Sequence, residues 1–252
     1  METGLGLATL TLDSPHNRNA LSRALMTRLL AALDAAVADP AVRVVVLTHA
    51  GPAFCSGADL KETAAAYDGT GPLPTELLGD VLAAVWECPK PVVARVGGPA
   101  RAGGLGLVAA ADIAVCAEDA TFAFNEVRLG VVPAIISATV LRRLTPRVAA
   151  ELFLTGEVFD GRRAAEIGLV TAAAPAQALD ETVVAYCDAL VRGGPGALAG
   201  AKRLLQRRPA DPVRADLAEL SALSLEYFTS AEGMEGVRAV REKRPPAWVP
   251  QG

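Results

Sequence analysis

The sequence predicts an α/β protein in which helices cover a parallel β-sheet. Apolar runs typical of strands alternate with segments of helical periodicity through the first half of the chain. Residues 42–47 are apolar apart from Arg43 and do not alternate with polar residues, which indicates a strand buried on both faces, as in a parallel layer. Two glycine-bearing loops, at 53–60 and 102–106, each lie between a strand-like and a helix-like run.

The first elements follow from the periodicity and turn residues of the N-terminal region. Residues 5–12 alternate loosely and end at Asp13-Ser14-Pro15, which predicts a strand followed by a turn. Ser22 is a suitable N-cap, and apolar residues recur every four positions from there to Val37. This pattern predicts an amphipathic helix that ends near Asp39-Pro40.

The rest of the chain repeats the order strand, loop, helix before becoming mostly helical. After the first glycine loop we expect a short helix, then a helix at 76–87, a strand at 91–96, a helix at 103–111 and a strand at 113–116. Beyond Pro133 strand signals are sparse, and helices are predicted at 135–144, 146–155, 161–167 and 179–191. Further helices are expected in 195–241, with interruptions at Pro209, Pro212 and Gly233. The apolar tail contains Trp248, which we expect to pack against protein.

Length and cysteine usage indicate a fold that needs no covalent or metal cross-links. A chain of 252 residues buries enough apolar surface for a large domain. Its four cysteines are far apart and include no C-x-x-C pair, and they are Cys55, Cys88, Cys116 and Cys187. We therefore expect a reducing cytoplasmic environment and no metal.

Charge and hydropathy exclude several classes of partner. The N-terminus has no basic region followed by an apolar stretch, so it does not resemble a signal peptide. The most apolar segment, 105–117, is interrupted by Asp112 and is shorter than the roughly 20 residues that a membrane span requires. The net charge of −4 and the aromatic content of 4% argue against a nucleic-acid surface. We expect a cytoplasmic protein with neither a membrane nor a nucleic acid as partner.

The two glycine loops predict a split oxyanion hole. The N–H of Ala58 falls at the start of the short helix, where backbone donors lack partners and the helix dipole favours an anion. Gly103 and Gly104 likewise place unpaired N–H groups at the start of the helix predicted at 103–111. Gly57 on its own also fits a tight turn that requires a positive φ.

Two other interpretations of these motifs were weighed. Residues 104–109 fit the dinucleotide pattern G-x-G-x-x-A, with Glu126 at a suitable distance, but that motif should follow its strand immediately and here residues 97–102 intervene. The only histidines, His16 and His49, have no serine or cysteine at suggestive spacing, which leaves a hydrolytic triad unsupported.

Glu126 is the candidate acid/base. It lies among apolar residues in 122–127, which would desolvate the carboxylate and raise its pKa towards values useful for proton transfer. The alternative is a solvated loop glutamate. With an oxyanion hole beside it, the chemistry suggested is enolate formation on a thioester.

Three segments together resemble a known family. The order F-C-S-G-A-D-L-K-E, then R-A-G-G-L-G-L-V-A-A-A-D-I-A-V, then F-N-E-V-R-L-G-V-V-P is similar to the crotonase superfamily, the enoyl-CoA hydratase/isomerase group. The match extends over nearly the whole chain. It implies an α/β fold built as a crotonase-like spiral of ββα units over 1–192, followed by a C-terminal helical trimerisation region over 193–252, with homotrimers or hexamers.

The resemblance also implies roles for individual residues. The N–H groups of Ala58 and Gly103 would hold the thioester oxygen of an acyl-CoA, and Glu126 would exchange the proton on the α-carbon. The residues implied in binding the substrate and its coenzyme A are Arg18, Ala20, Ser56, Gly57, Ala58, Asp59, Leu60, Gly104 and Lys243. Coenzyme A is then part of the substrate, and no separate cofactor is expected.

One departure from the family pattern bears on the reaction. Hydratases of this family typically carry a second glutamate three residues after the oxyanion glycine, where this chain has Gly106. Hydration of a 2-enoyl-CoA is the expected function, with double-bond isomerisation by a single glutamate and non-catalytic acyl-CoA binding as alternatives. Arg101 either binds a carboxylate on the acyl chain or faces solvent.

Overall fold

Two β-sheets organise the chain in the computed structural model, which describes residues 1–72, 75–207, 223, 226 and 230–249. The strands are β1 (Glu2–Gly4), β2 (Leu7–Leu12), β3 (Val44–His49), β4 (Val92–Val96), β5 (Ala100–Arg101), β6 (Ile113–Ala117), β7 (Thr121–Ala123), β8 (Phe159–Asp160) and β9 (Ala172–Ala174). The larger sheet has the order β1-β2-β3-β4-β6-β9, and the smaller has the order β5-β7-β8.

Helices connect and cover these strands. They are α1 (Arg23–Ala38), α2 (Leu60–Tyr67), α3 (Thr75–Glu87), α4 (Gly103–Ala110), α5 (Ala134–Val140), α6 (Pro146–Thr155), α7 (Gly161–Glu166), α8 (Leu179–Val191), α9 (Pro195–Gln206) and α10 (Ala231–Glu242). Short 3-10 turns occupy Pro15–Asn17, Glu126–Leu129 and Ala176–Ala178. None of the helices in the described part of the chain has the length and hydropathy of a membrane span.

The parallel layer predicted from the apolar run is confirmed. Strands β2, β3, β4, β6 and β9 pair in parallel, and Val44 to Leu47 are all buried. The expectation of one strand over 5–12 is wrong at its start, because Leu5 and Gly6 take φ values of 51° and 80° and turn the chain between β1 and β2. Two consecutive positive φ values are typical of a tight hairpin turn.

The first helix follows its sequence pattern. Ser22 Oγ accepts a hydrogen bond from the Leu25 N–H at 3.2 Å, which confirms the predicted N-cap. Leu29 and Leu33 on the same face are also buried, so that α1 lays one apolar stripe on the core. The sequence therefore determined this helix locally.

Five short strands were not predicted. They contain only two or three residues each, too few to display a period of two, and they are β1, β5, β7, β8 and β9. Their pairing is nevertheless important, because β5 and β7 carry the segments that lead to Gly103 and Glu126.

The C-terminal segments on either side of α9 and α10 pack against the start of β3. Arg43, which precedes β3, donates to the carbonyls of Gly193 and Trp248 at 2.7 and 2.6 Å. The indole Nε1 of Trp248 in turn donates to the Arg192 carbonyl at 3.0 Å, so the expected packing of this tail is confirmed. Helix α10 continues through Gly233, where an interruption was expected; Pro209 and Pro212 lie outside the described residues. The division between residues 192 and 193 stays a prediction.

A buried ion pair joins α9 to the sheet, and its removal tests this docking. Lys202 Nζ lies 2.6 Å from Asp112 Oδ2, and only 8% of the lysine side chain is exposed. Asp112 Oδ2 also accepts the Val92 N–H at 2.7 Å. We expect Asp112→Ala to lower the free energy of unfolding by about 3–5 kcal/mol, because the buried ammonium keeps its hydrogen bond to the Lys90 carbonyl at 3.1 Å but loses its counter-charge.

Urea unfolding followed by circular dichroism measures this loss. The control is Asp188→Ala on the exposed face of α8, for which we expect a change within about 0.5 kcal/mol. A loss for Asp112→Ala as small as that of the control would contradict the assigned role.

Candidate active site

The first glycine loop is held in place by one buried amide side chain. Asn19 Nδ2 donates to the carbonyls of Ala50 and Ala53 at 2.9 and 2.7 Å, and its Oδ1 accepts the Ser14 N–H at 2.7 Å. The two bonds that Asn19 Nδ2 donates connect segments 31 and 34 residues apart, whereas the bond from Ser14 spans five residues. The sequence alone did not identify this role of Asn19. The one feature that pointed to it was its position between Arg18 and Ala20, two residues implied in coenzyme A binding.

The two glycine loops run side by side. The N–H groups of Phe54 and Cys55 donate to the Pro99 carbonyl at 3.0 and 3.2 Å, and the Arg101 N–H donates to the Cys55 carbonyl at 2.9 Å. Cys55 and Ala100 form a parallel bridge. The structure therefore brings together the two motifs that the sequence places about 45 residues apart.

Near this contact, the candidate oxyanion donors have no internal partners. Among the hydrogen bonds of the described residues, none uses the N–H of Ala58 or of Gly103, whereas the Leu105 and Gly106 N–H groups donate to the Ala102 carbonyl. Gly57 has φ +94°, and a Cβ added to it would lie 3.0 Å from the Ala102 Cβ. Unpaired N–H groups on two adjoining loops fit the predicted oxyanion hole.

The position of Ala58 corrects one detail of the prediction. Helix α2 begins at Leu60, with Asp59 as N-cap accepting the Lys61 and Glu62 N–H groups. Ala58 thus precedes the cap, and its N–H is left unpaired by the loop rather than by the helix's first turn. Gly103, by contrast, is the first residue of α4, as expected.

Ala102 holds a strained backbone at the entrance to α4. Its φ of 45° and ψ of −115° lie outside the conformations that residues with a side chain ordinarily adopt. Such conformations cost on the order of 1–3 kcal/mol and cluster at functional sites. Here the strain allows the chain to turn from β5 directly into α4.

Strand register delivers Glu126 to the same edge of the smaller sheet as Gly103. β5 and β7 are parallel, with Arg101 opposite Ala123, and the Ala102 N–H donates to the Ala123 carbonyl at 3.4 Å. Because parallel strands end at one edge, the segments that follow them emerge side by side. Gly103 comes two residues after β5 ends, and Glu126 three residues after β7 ends.

A cluster of aromatic rings fixes the segment that carries Glu126. Phe124 is fully buried, with its ring centroid 4.8 Å from that of Phe153 and 6.2 Å from that of Phe159. Two residues later the chain forms the 3-10 turn that begins at Glu126. The Glu126 carboxylate therefore belongs to a segment whose backbone is held in place by packing.

Glu126 is buried rather than solvated. The residue is 9% exposed, and its Oε2 has no hydrogen-bond partner in the described structure. Burial raises the pKa of this carboxyl above its ordinary value of 4.5. A buried carboxylate oxygen without a partner is costly, so that its presence indicates function rather than stability.

Most of the residues implied in coenzyme A binding come together around the first loop. Ser56 donates its N–H to the Arg18 carbonyl at 3.0 Å, and Leu21, next to Ala20, donates its N–H to the Gly57 carbonyl at 2.7 Å. The Asp59 carboxylate is engaged in capping α2 and in accepting from Asn17 Nδ2 at 3.0 Å. The side chain of Leu60 is exposed.

Gly104 and Lys243 stand apart from this group. Gly104 is buried against Cys55, where an added Cβ would lie 2.7 Å from the Cys55 Cβ. Lys243 is exposed, and no contact among the described residues connects it with either glycine loop or with Glu126. Both binding roles stay predictions.

Gly106 faces an apolar wall. A Cβ added there would lie 2.7 Å from Ile136 Cγ2 and 3.2 Å from Leu82 Cδ1. The place where related hydratases are expected to carry a second glutamate is thus closed by α3 and α5. The same close packing puts Gly104 and Gly106 inside a buried helix, which does not fit a dinucleotide-binding loop.

Arg101 has neither of the two environments considered for it. Its guanidinium donates to the Thr121 carbonyl at 2.5 Å and to Thr121 Oγ1 at 3.0 Å. The side chain therefore ties β5 to β7 instead of binding a substrate carboxylate or facing solvent. Among the described residues, no group of three or more His, Cys, Asp or Glu side chains is arranged to hold a metal.

Comparisons with known proteins identify the family of the chain. The model of the family described as enoyl-CoA hydratase/isomerase matches residues 2–251. An enoyl-CoA hydratase structure from Mycobacterium avium is 44% identical, with a TM-score of 0.72 and coverage of 96% of this chain and 94% of the other. Pseudomonas aeruginosa AtuE is 35% identical, with a TM-score of 0.92 and coverage of 99% and 98%.

A comparison of sequences gives the same relationship. Enoyl-CoA hydratase EchA19 of Mycobacterium tuberculosis is 33% identical over 243 residues, which cover 94% of this chain and 90% of EchA19. These matches confirm the crotonase-like α/β fold expected from the motifs. The chain belongs to the enoyl-CoA hydratase/isomerase family of the crotonase superfamily.

Proposed function

We propose that the protein is an enoyl-CoA hydratase that adds water to a 2-enoyl-CoA thioester with Glu126 as its only catalytic carboxylate. The observation that carries the proposal is the buried Glu126 carboxyl, whose Oε2 lacks a partner, on the same sheet edge as the Gly103 turn. The names of the Mycobacterium avium protein and EchA19 support hydration.

The mechanism begins with polarisation of the thioester. The N–H groups of Ala58 and Gly103 donate to the carbonyl oxygen, which makes the β-carbon electrophilic. A water oxygen attacks that carbon while Glu126 accepts one proton from the water, and the electron pair of the double bond moves to give an enolate. The two N–H groups stabilise the negative charge on its oxygen.

Glu126 then returns the proton. Its protonated carboxyl donates to the α-carbon, the enolate collapses to the thioester, and the net change is addition of one H and one OH across the double bond. One carboxyl is sufficient because its two oxygens can receive and deliver the proton on the same face. The raised pKa of Glu126 assists the first proton transfer, because a carboxylate whose acid has a higher pKa is a better base for the water proton.

Binding of the substrate is assigned to the first loop and its neighbours. The backbone around Arg18, Ala20 and Ser56 through Leu60 would meet the coenzyme A portion, and no separate cofactor takes part. Lys243 would lie close to the coenzyme A phosphates, and the protein would assemble as a homotrimer or hexamer. The solvent-facing Leu60 offers apolar surface to the pantetheine arm.

Double-bond isomerisation is the second candidate, favoured by the wall at Gly106. Because Ile136 and Leu82 fill the space beside that glycine, no second carboxylate is available there to activate water. A single glutamate can remove a proton from the α-carbon of a 3-enoyl-CoA and return it to the γ-carbon. The enolate would again be held by Ala58 and Gly103.

The first test is the reaction of wild type and Glu126→Gln with 2-enoyl-CoA and 3-enoyl-CoA esters in heavy water. We expect wild type to convert a 2-enoyl ester into a product heavier by one molecule of heavy water. Glu126→Gln should bind the ester but lose turnover by about 10²–10⁴-fold, because an amide cannot exchange the proton. Mass spectrometry of the products and calorimetry of ester binding measure the two effects.

The possible outcomes separate the candidate functions. Bond migration without added water would make the protein an isomerase, and binding without conversion of any ester would make it an acyl-CoA-binding protein. Glu166→Gln, on an exposed part of α7, is the matched control and should retain wild-type turnover. Wild-type turnover by Glu126→Gln would remove Glu126 from the mechanism.

The oxyanion loop is tested by comparing two glycines of similar backbone conformation. Gly57 and Gly69 have φ values of +94° and +70°, but only Gly57 has neighbours that an added Cβ would touch, at Ala102 and Arg101. We expect Gly57→Ala to lower kcat by about 10²–10³-fold, since it displaces the adjoining Ala58 N–H.

Gly69→Ala introduces similar backbone strain, because Gly69 also has a positive φ, but its added Cβ contacts nothing near the oxyanion loops. We therefore expect the kcat of this variant to stay near that of wild type. Steady-state kinetics on the best ester, with thermal unfolding to measure stability, distinguishes the two variants. Equal losses of kcat would show that positive-φ strain alone is responsible and would exclude the oxyanion role of the Ala58 N–H.

A further inference from the structure

The contact between the two glycine loops begins at a short segment that we term the loop junction, residues 52–55 against residues 97–100. A Cβ added to Gly98 would lie 2.3 Å from the Pro52 carbonyl oxygen, so the two backbones touch. The Pro99 carbonyl accepts from both Phe54 and Cys55. Anything that moves 97–100 therefore moves the Ala58 and Gly103 N–H groups relative to each other.

His49 contacts both segments of the loop junction and accepts a hydrogen bond from Gly97, the first residue of the second segment. It ends β3, and its Nε2 accepts the Gly97 N–H at 3.0 Å. Its ring meets Phe54 edge to face, with centroids 5.7 Å apart. An imidazole that accepts at Nε2 carries its proton on Nδ1, so the bond to Gly97 exists only in the neutral form.

The surroundings of His49 oppose a positive charge. Arg95, at the end of β4, is close by, because a Cβ added to Gly97 would lie 3.0 Å from Arg95 Nη1 and 3.2 Å from His49 Nε2. Arg95 is in turn paired with Asp180 of α8 at 2.5 Å. His49 Nδ1 is buried and has no hydrogen-bond partner in the described structure.

Burial, and secondly the charge of Arg95, lower the pKa of His49 below its ordinary value of 6.5. The unfolded chain takes up this proton near pH 6.5, whereas the folded chain takes it up only at lower pH. The stability supplied by neutral His49 is thus complete above pH 6.5 and is lost as the pH falls through the pKa of the folded state.

We propose that His49 is a positioning residue whose neutral imidazole, by holding Gly97, aligns the two oxyanion loops, and whose protonation releases the loop junction and lowers turnover. This inference rests on the proposed function, because its consequence for catalysis acts through Ala58 and Gly103. Protonation replaces the acceptor at Nε2 by a donor, which faces the Gly97 N–H and the guanidinium of Arg95.

The kinetic test compares pH profiles of kcat/KM for wild type, His49→Gln and His16→Gln. A glutamine side-chain oxygen can occupy the place of Nε2 and accept the same hydrogen bond without titrating. We expect His49→Gln to match wild type within about twofold at pH 7.5 and to fall less steeply in acid, with a limiting logarithmic slope of about one for Glu126 alone against about two in wild type.

His16→Gln is the matched control, since His16 is the only other histidine and is exposed. It should retain the steep acid limb of wild type. Identical profiles for His49→Gln and wild type would overturn the proposal.

A second measurement on wild type needs neither a variant nor turnover. With ¹³C and ¹⁵N label in histidine, nuclear magnetic resonance should find His49 as the Nδ1-protonated tautomer, with a titration midpoint below the ordinary histidine value of 6.5. This midpoint should coincide with one of the two acid-limb inflections. The other tautomer, or a midpoint at or above 6.5, overturns the proposal.

Failure of the proposed function has a different signature. In that case wild type converts no ester at any pH, while the tautomer and titration of His49 still report whether the contact with Gly97 behaves as described.

Discussion

The parallel bridge between Cys55 and Ala100 is the interaction on which the candidate active site depends. It joins two segments that leave neighbouring strands of the large sheet, and its hydrogen bonds continue through Pro99 and Arg101. Beyond the bridge, the N–H groups of Ser56, Gly57 and Ala102 also have acceptors, and those of Ala58 and Gly103 are the first in each loop without a partner among the described residues. The proposed oxyanion hole thus consists of the N–H groups that this short piece of β-structure leaves unpaired.

Several features around the bridge would be costly in a merely structural loop. Ala102 adopts a conformation that normally favours glycine, Glu126 keeps a buried carboxylate oxygen without a partner, and Gly98 has no room for a side chain. Buried packing supports these features from behind, above all Phe124 within its aromatic cluster. Their concentration at one sheet edge separates the site from the well-satisfied remainder of the core.

The close packing around Gly106 bears on which reaction the protein can catalyse. Ile136 and Leu82 belong to helices that cover α4, so the space available at Gly106 is set by how α3 and α5 pack. This packing is the reason that the proposed acid/base system has one carboxylate. In the same way His49, a residue of the sheet, comes to bear on catalysis only through the backbone of Gly97.

The sequence by itself determined the α/β class, the buried parallel layer, the capped helix after Ser22 and the family to which the chain belongs. These depend on local periodicity, capping chemistry and contiguous motifs, which the order of residues displays directly. Tertiary structure decided what Arg101 binds, how Asn19 and His49 hold the loops, what fills the space at Gly106, and where the strands of two or three residues pair. Those outcomes depend on contacts between segments dozens of residues apart, and no local pattern in the chain records which distant backbone group will satisfy a given side chain.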